Sequence, residues 1–242
     1  MKVVRTQLPA DAAILAGWIN QTGVPVKAEP CAGDIGFVLS ESAGAPLACL
    51  RLRPRLGMEL PRYSFHLGRV VHAAAELELF RVQQVLLLGN DHTGESELCD
   101  LACAPDLGDP ERIAALSVLI EAALAHIRAH REDFGRTLVA ELAGPSDAAG
   151  RSPFWRGLGG KFYSGDPLLA QSRFGDAWRS HLAALLPRQA LYLSFLGEPA
   201  QAALGQIGAL GQAAGQALQA CGLRFAQHVR IDDGGPLLEM DL

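Results

Sequence analysis

Ten consecutive residues, Asn90, Asp91, His92, Thr93, Gly94, Glu95, Ser96, Glu97, Leu98 and Cys99, set a histidine, three carboxylates and a thiol close together in the chain. His92, Asp91, Glu95 and Glu97 are each candidates for a general base, because imidazoles and carboxylates are the groups that most often take a proton in a transition state. Each also has a plainer reading as turn capping, and Cys99 as a core thiol. Further on, Ser152 stands between Arg151 and Pro153. A helix N-terminus there could hold a carboxylate, or Ser152 could simply cap the helix. Cys99 and Cys103 are four apart on an expected strand, facing the same way about 13 Å from each other. A shared metal is not expected, and no metal site is assigned.

The elements that must position these groups follow from apolar spacing. Residues 85–88 form a short apolar run, 90–94 have turn chemistry, 95–103 alternate polar and apolar, and a periodic helix opens at Asp109. Strand, turn, strand, loop and helix in this order can bind a phosphorylated cofactor, because the first amides of a helix lack internal partners and its dipole is positive there. Ile113, Leu116, Ile120, Ala123, Leu124 and Ile127 form one stripe of that helix, opposed by Glu121, Arg128, Arg131 and Glu132. Asp109 suits its N-cap and Pro110 its first position.

Upstream, residues 3–6 predict a strand, and Pro9 opens a helix to about Asn20 that Gly23 and Pro25 end. Residues 35–40 and 46–53 predict a hairpin. Its Arg51, Arg53 and Arg55 read as a solvated strand face, with an anion site as the alternative. Residues 63–72 predict a strand in which His66 and His72 are structural. Downstream come a strand at 137–142, a loop at 144–147, and a short helix that buries Phe154, Trp155 and Leu158 before Gly159 and Gly160 stop it. Residues 171–186 read as helix and 190–195 as strand. The alanine-rich stretch 199–220 carries Gly205, Gly208, Gly211 and Gly215, so a break near 207–211 is expected. A hairpin of 224–231 and 236–240 closes the chain.

The formal net charge of -5 and pI near 5.8 argue against a nucleic-acid partner, and no basic run offsets them. No stretch approaches a membrane span, and the first residues lack the apolar segment of a secretion signal, so no membrane partner and a cytoplasmic location are expected. Cys31, Cys49, Cys99, Cys103 and Cys221 are odd in number and scattered, which fits reduced thiols.

Six blocks in order resemble the arginine N-succinyltransferase family: Asn90 to Gly94 with Ser96 to Cys99; Ser146, Asp147 and Gly150 with Ser152 to Trp155; Leu158, Gly159 and Phe162; Leu186, Pro187 and Tyr192; Gly205 and Gln206; and Asp233 to Pro236 with Leu238 and Glu239. The resemblance implies an α/β (α+β) chain with a GNAT-like acyl-CoA N-acyltransferase fold, a mixed central sheet flanked by helices. It implies one domain over 1–242, with an acyltransferase-like core at 1–164 and a C-terminal half at 165–242 packed on it. It further implies transfer of succinyl from succinyl-CoA to the α-amino group of arginine in an arginine degradation route. The strand 98–103 would bond the pantetheine arm of CoA, with Leu101, Cys99 and Arg112 on the acyl-CoA side. Asn90, Thr93, Ser152 and Trp155 would be substrate-pocket residues.

The chain departs from that pattern where chemistry is expected. The pyrophosphate loop here is Ala104, Pro105, Asp106, Leu107, Gly108, Asp109, Pro110 and Glu111, in which Pro110 offers no amide, the acids oppose a phosphate and Arg112 is the nearby cation. Gly208 stands where the family carries its proton-transferring histidine. A segment between the first helix and the second strand and a C-terminal region are also shorter. The expectation is a divergent paralogue, a pseudoenzyme with weak or no succinyl-CoA-dependent activity. It would serve as partner subunit of a full-length arginine N-succinyltransferase or of itself, or as a module binding an arginine-like small molecule. The alternative is an active acyl-CoA-dependent N-acyltransferase on arginine or a related amine.

Overall fold

The stripe that begins at Ile113 becomes the longest helix of a computed structural model that describes residues 2–6, 18–20, 22–24, 33–41, 44–175 and 177–242. This helix, α1 (Asp109–Ala129), buries Leu116, Leu119, Ile120, Ala123, Leu124 and Ile127 against one face of a mixed sheet. The strands are β1 (Lys2–Thr6), β2 (Ile19–Asn20), β3 (Ile35–Ser40), β4 (Pro46–Arg53), β5 (Ser64–Ala74), β6 (Leu79–Gly89), β7 (Ser96–Cys103), β8 (Thr137–Glu141), β9 (Leu191–Tyr192), β10 (Arg224–Arg230) and β11 (Pro236–Asp241). They lie in the order β1-β3-β4-β7-β8-β11-β10-β5-β6-β9, with β2 pairing to β7. The mixed sheet flanked by helices is the architecture expected from the sequence.

Two apolar clusters divide the interior. One joins α1, β3, β4, β7, β8 and helix α6 (Gln212–Ala220). The other packs Phe65, Leu86 and Leu88 of the β5–β6 hairpin against α2 (Pro153–Gly157), α3 (Pro167–Phe174), α4 (Ala177–Leu185) and α5 (Glu198–Ala203).

The arrangement around β7 positions everything else. β7 and β8 run parallel, and they pair only from Ser96 opposite Leu138 to Leu98 opposite Ala140. Beyond Leu98, β8 no longer pairs with β7. Cys103 and Ala102 are bonded to β4 on one edge and to β2 on the other, so β2 takes up the edge that β8 leaves. The β4–β7 register slips between Cys49 and Arg51, and Asp100 sits there with φ of 53°. One extra residue in a strand reverses the alternation of all residues beyond it. Leu98, Leu101 and Cys103 therefore share the core on the α1 side, and Cys99 does not. Cys99 and Cys103 do not face the same way as expected, because periodicity alone cannot show a bulge.

Other boundaries shift for local reasons. Gly108, not Asp109, precedes the first turn of α1, and no side chain caps it; the Asp109 carboxylate instead accepts a bond from Arg112 at 3.2 Å. The helix expected at 171–186 is two, broken at Gly175, whose φ of 54° a glycine adopts easily. The expected strand at 190–195 is reduced to Leu191–Tyr192 followed by a single tight turn of helix. The break near 207–211 is present between α5 and α6. Residues 85–88 are the end of a much longer strand, β6, paired with β5 along its whole length. The helix expected from Pro9 lies outside the described residues except near its end, where Ile19–Asn20 is strand; Pro25 and Cys31 also lie outside them.

Leu101 is fully buried in the α1-side core. Leu101→Ala is expected to cost about 2–5 kcal/mol, the range for a large-to-small change at a site that cannot collapse. The urea midpoint of the variant against the parent chain measures it.

Candidate functional site

The second face of the central strands is ionic. Leu50 and Leu52 of β4 point to the α1 core, so the intervening Arg51 and Arg53 point the other way, and both are buried, at 5% and 4% exposure. The expectation of a solvated arginine face is wrong for these two residues. Counting alternation along one strand does not reveal that the opposite face is also covered. Only Arg55 of the three is exposed.

From Arg53 a continuous ladder of charge crosses the sheet. Arg53 grips Asp34 with two bonds of 3.1 and 3.0 Å and reaches Glu97, its cross-strand neighbour, at 3.5 Å. Arg51 holds Asp100 at 2.7 Å. Arg62 links Glu97 at 3.1 Å to Glu141 at 3.3 Å. Glu141, the last residue of β8, also receives Arg179 of α4 at 2.6 Å and Arg230 of β10 at 3.1 Å. Arg230 continues to Asp232 at 2.8 Å and Asp233 at 2.9 Å. Burial alone would raise the Glu141 carboxyl, but Arg179, Arg62 and Arg230 outweigh it and hold it well below the ordinary carboxylate value.

Among the described residues five guanidiniums (Arg51, Arg53, Arg62, Arg179, Arg230) thus meet six carboxylates (Asp34, Glu97, Asp100, Glu141, Asp232, Asp233). At the far end two carboxylates, Asp232 and Asp233, share Arg230. Asp232 is buried, and its Oδ1 has no hydrogen-bond partner among the described residues. Burial, and the neighbouring Asp232 charge, leave the Asp233 carboxyl raised despite Arg230.

That end of the ladder forms the wall of a cavity of about 620 Å³, within the ~300–1,000 Å³ range of small-molecule sites. Trp155, Trp178, Ser152, Arg230, Asp232 and Asp233 are among its lining. Ser152 accepts the amide of Trp155 at 3.2 Å as an N-cap and donates to the Asp233 carbonyl at 3.3 Å, so its hydroxyl fixes the Asp232–Asp233 turn. Arg151 is held by Asp147 at 3.0 Å. Among the described residues no histidine lines this cavity. Gly208 is close by the wall: its amide donates to the Ala143 carbonyl at 2.8 Å, and a Cβ there would stand 2.6 Å from the Gly144 carbonyl oxygen.

The candidates read from the sequence separate into four places. Ser152 and Trp155 line the large cavity. Glu97 and Cys99 line a much smaller one of about 20 Å³, with Thr22, Arg62, Asp100 and Glu141. Arg112 stands at the head of α1, bonded to Asp109 and to the Pro105 carbonyl, each at 3.2 Å. His92 and Asp91 sit in the turn between β6 and β7, where Asn90 accepts the Thr93 amide at 3.0 Å. His92 Nε2 is 3.1 Å from Glu239, and His228 Nδ1 is 2.8 Å from the same carboxylate. Burial would raise the Glu239 carboxyl, but the hydrogen bonds and charge of His228 and His92 bring it down to about 2.

Sequence reasoning missed Arg62, Arg179, Arg230 and Asp232, and treated Asp233 only as part of a turn. The available signal was charge inside otherwise apolar runs: Glu141 closes a five-residue strand of which it is the only ionisable member, and Arg230 sits between Val229 and Ile231. Burial pushes the Cys49 and Cys103 thiols up to about 12, which makes them unreactive packing groups.

Comparison with known proteins gives one consistent result. The family model described as "Arginine N-succinyltransferase beta subunit" matches residues 1–242. An arginine N-succinyltransferase from Citrobacter koseri is 34% identical over 240 residues, which are 98% of this chain and 69% of the relative. One from Salmonella newport is 35% identical over the same shares. The solved structure of arginine/ornithine succinyltransferase subunit AI from Pseudomonas aeruginosa superposes with a TM-score of 0.75 at 24% identity, covering 99% of this chain and 76% of that one, and shares the GNAT-like fold.

The Glu239 carboxyl lies below its ordinary value of 4.5 in the folded chain, so its contribution to stability is complete above that pH and is lost as pH falls towards about 2. The urea midpoint of the parent chain is expected to fall through this window more steeply than that of Glu239→Gln. Parallel profiles for the two proteins would contradict the assignment.

Proposed function

Because the chain belongs to the arginine N-succinyltransferase family, we propose that it is a divergent member that binds an arginine-like cation in the 620 Å³ cavity while carrying little or no succinyl-CoA-dependent transfer. One observation carries this reading. The edge of β7 at Ala102 and Cys103, where the family resemblance would seat a pantetheine arm, is already bonded to β2. The Ala143 amide bonds the Thr22 carbonyl at 2.8 Å, drawing the same segment across to the end of β8. The loop ahead of α1 supports the reading too, since Pro110 has no amide and Arg112 is engaged by Asp109 and Pro105.

The cavity favours a cation for an electrostatic reason. The ladder ends with the adjacent carboxylates Asp232 and Asp233 on one arginine, and a guanidinium or ammonium placed against Asp232 Oδ1, which has no hydrogen-bond partner among the described residues, would complete its bonding. Trp155 and Trp178, 6.0 Å apart, offer aromatic surface for such a group. Arg230, Arg151 and Arg156 in the lining are candidate partners for the carboxylate of an amino acid.

Asp233 favours a second reading, an active N-acyltransferase, because it stands at the wall of the cleft with its carboxyl raised by burial and by Asp232, which makes it a candidate proton acceptor. A partner-subunit role is favoured by the β5–β6 hairpin, which leaves Leu77 and Phe80 about three-quarters exposed and Val71 and Val82 half exposed. Among the described residues no helix is long and apolar enough to cross a membrane.

Calorimetry with arginine, CoA and succinyl-CoA tests the proposal. Arginine is expected to bind, Asp232→Asn to weaken it by about tenfold or more, as for loss of a charge-assisted bond, and CoA to give no heat. Succinyl-CoA binding with thiol release in the presence of arginine would overturn the reading in favour of the transferase. A second variant examines the position of the family histidine. Gly208→His is expected to lower the melting temperature and to restore no turnover, because its Cβ meets the Gly144 carbonyl.

A further inference from the structure

The turn that carries His92 meets the closing hairpin at a second cluster, none of whose members lines the cavity. Nitrogen and oxygen donors of His92, His228 and Glu239 all lie within 4.8 Å of one another. They come from three separate parts of the chain: the β6–β7 turn, β10 and β11. A register slip between Phe225 and Val229, with Gln227 at φ of 68°, places His228 opposite His66 of β5. The His66 ring lies 5.0 Å from the His228 ring and helps fix it.

We propose that His92, His228 and Glu239 form a binding site for a Zn²⁺-class divalent cation. Two imidazoles and one carboxylate, with a fourth position left for water, is a donor set that zinc takes in proteins. Donors around a tetrahedral Zn²⁺ stand roughly 3.3 Å apart at the usual bond lengths. Here the Glu239 oxygen is 3.1 Å from His92 Nε2 and 2.8 Å from His228 Nδ1, and no separation within the set exceeds 4.8 Å. One feature outside the triad supports it. Asp91 Oδ2 stands 3.7 Å from His228 Nε2, on the side of the ring away from Glu239, where a carboxylate orients a metal-bound histidine. His228 and Glu239 keep some exposure and Asp91 is two-thirds exposed, which gives the ion a way in. The ion would tie the β6–β7 turn to the β10–β11 hairpin.

The test uses the full chain, stripped with chelator and titrated with Co²⁺ as a spectroscopic probe and then with Zn²⁺. One Co²⁺ per chain with visible d–d absorption, displaced by Zn²⁺, is expected. His228→Ala and Glu239→Gln should abolish the absorption, and His72→Ala, on the exposed hairpin, should leave it unchanged. Asp91→Asn alters an exposed side chain that no strand pairing involves, so its fold is safe; it should weaken Co²⁺ binding by about tenfold. Circular dichroism of each variant reports folding separately. Absence of the absorption in the parent chain, or its persistence in folded His228→Ala and Glu239→Gln, would overturn the proposal.

Discussion

Glu141 is the junction on which the molecule turns. One carboxylate, buried at the end of β8, is shared by guanidiniums from the segment before β5, from α4 and from β10. Taking such charges out of water costs several kcal/mol per ion, and only several well-aimed partners offset it. The geometry is therefore narrowly fixed: losing one partner strands the others, at about 3–5 kcal/mol. Because Arg179 lies among the helices of the second apolar cluster and Glu141 lies on a strand of the first, this one group locks the two cores together.

The two faces of the central strands consequently obey different rules. On the α1 side, Leu98, Leu101 and Leu116 contribute by area, and each loss is graded. On the other side the contributions are directional and mutually dependent. The cavity lies where the ionic side reaches its end, so that its charge is inherited from the scaffold. The His92, His228 and Glu239 cluster lies further along the same closing hairpin, which makes β10 and β11 the elements that serve both places.

Much of the fold could be read in the chain, and the reason lies in which signals are local. The α1 stripe, the break between α5 and α6, the Ser152 cap and the closing hairpin rest on spacing, capping and turn chemistry within a few residues. The ionic ladder was not legible, because Arg51 and Arg53 look like a solvated face until one knows what covers them. The β7 bulge at Asp100 and the use of β7's second edge by β2 are also long-range facts. Of the residues lining the cavity, Ser152 and Trp155 stood out by motif, whereas Asp232 acquires its meaning only from its burial beside Arg230 and Arg179.

At residue 208 two stretches of main chain have closed over the room that a side chain would need, with an amide-to-carbonyl bond sealing them. Any β-carbon there would have to part the chain at 143–144 from the 208 turn first, so the backbone around this position, and not the chemistry of the cavity, dictates its glycine.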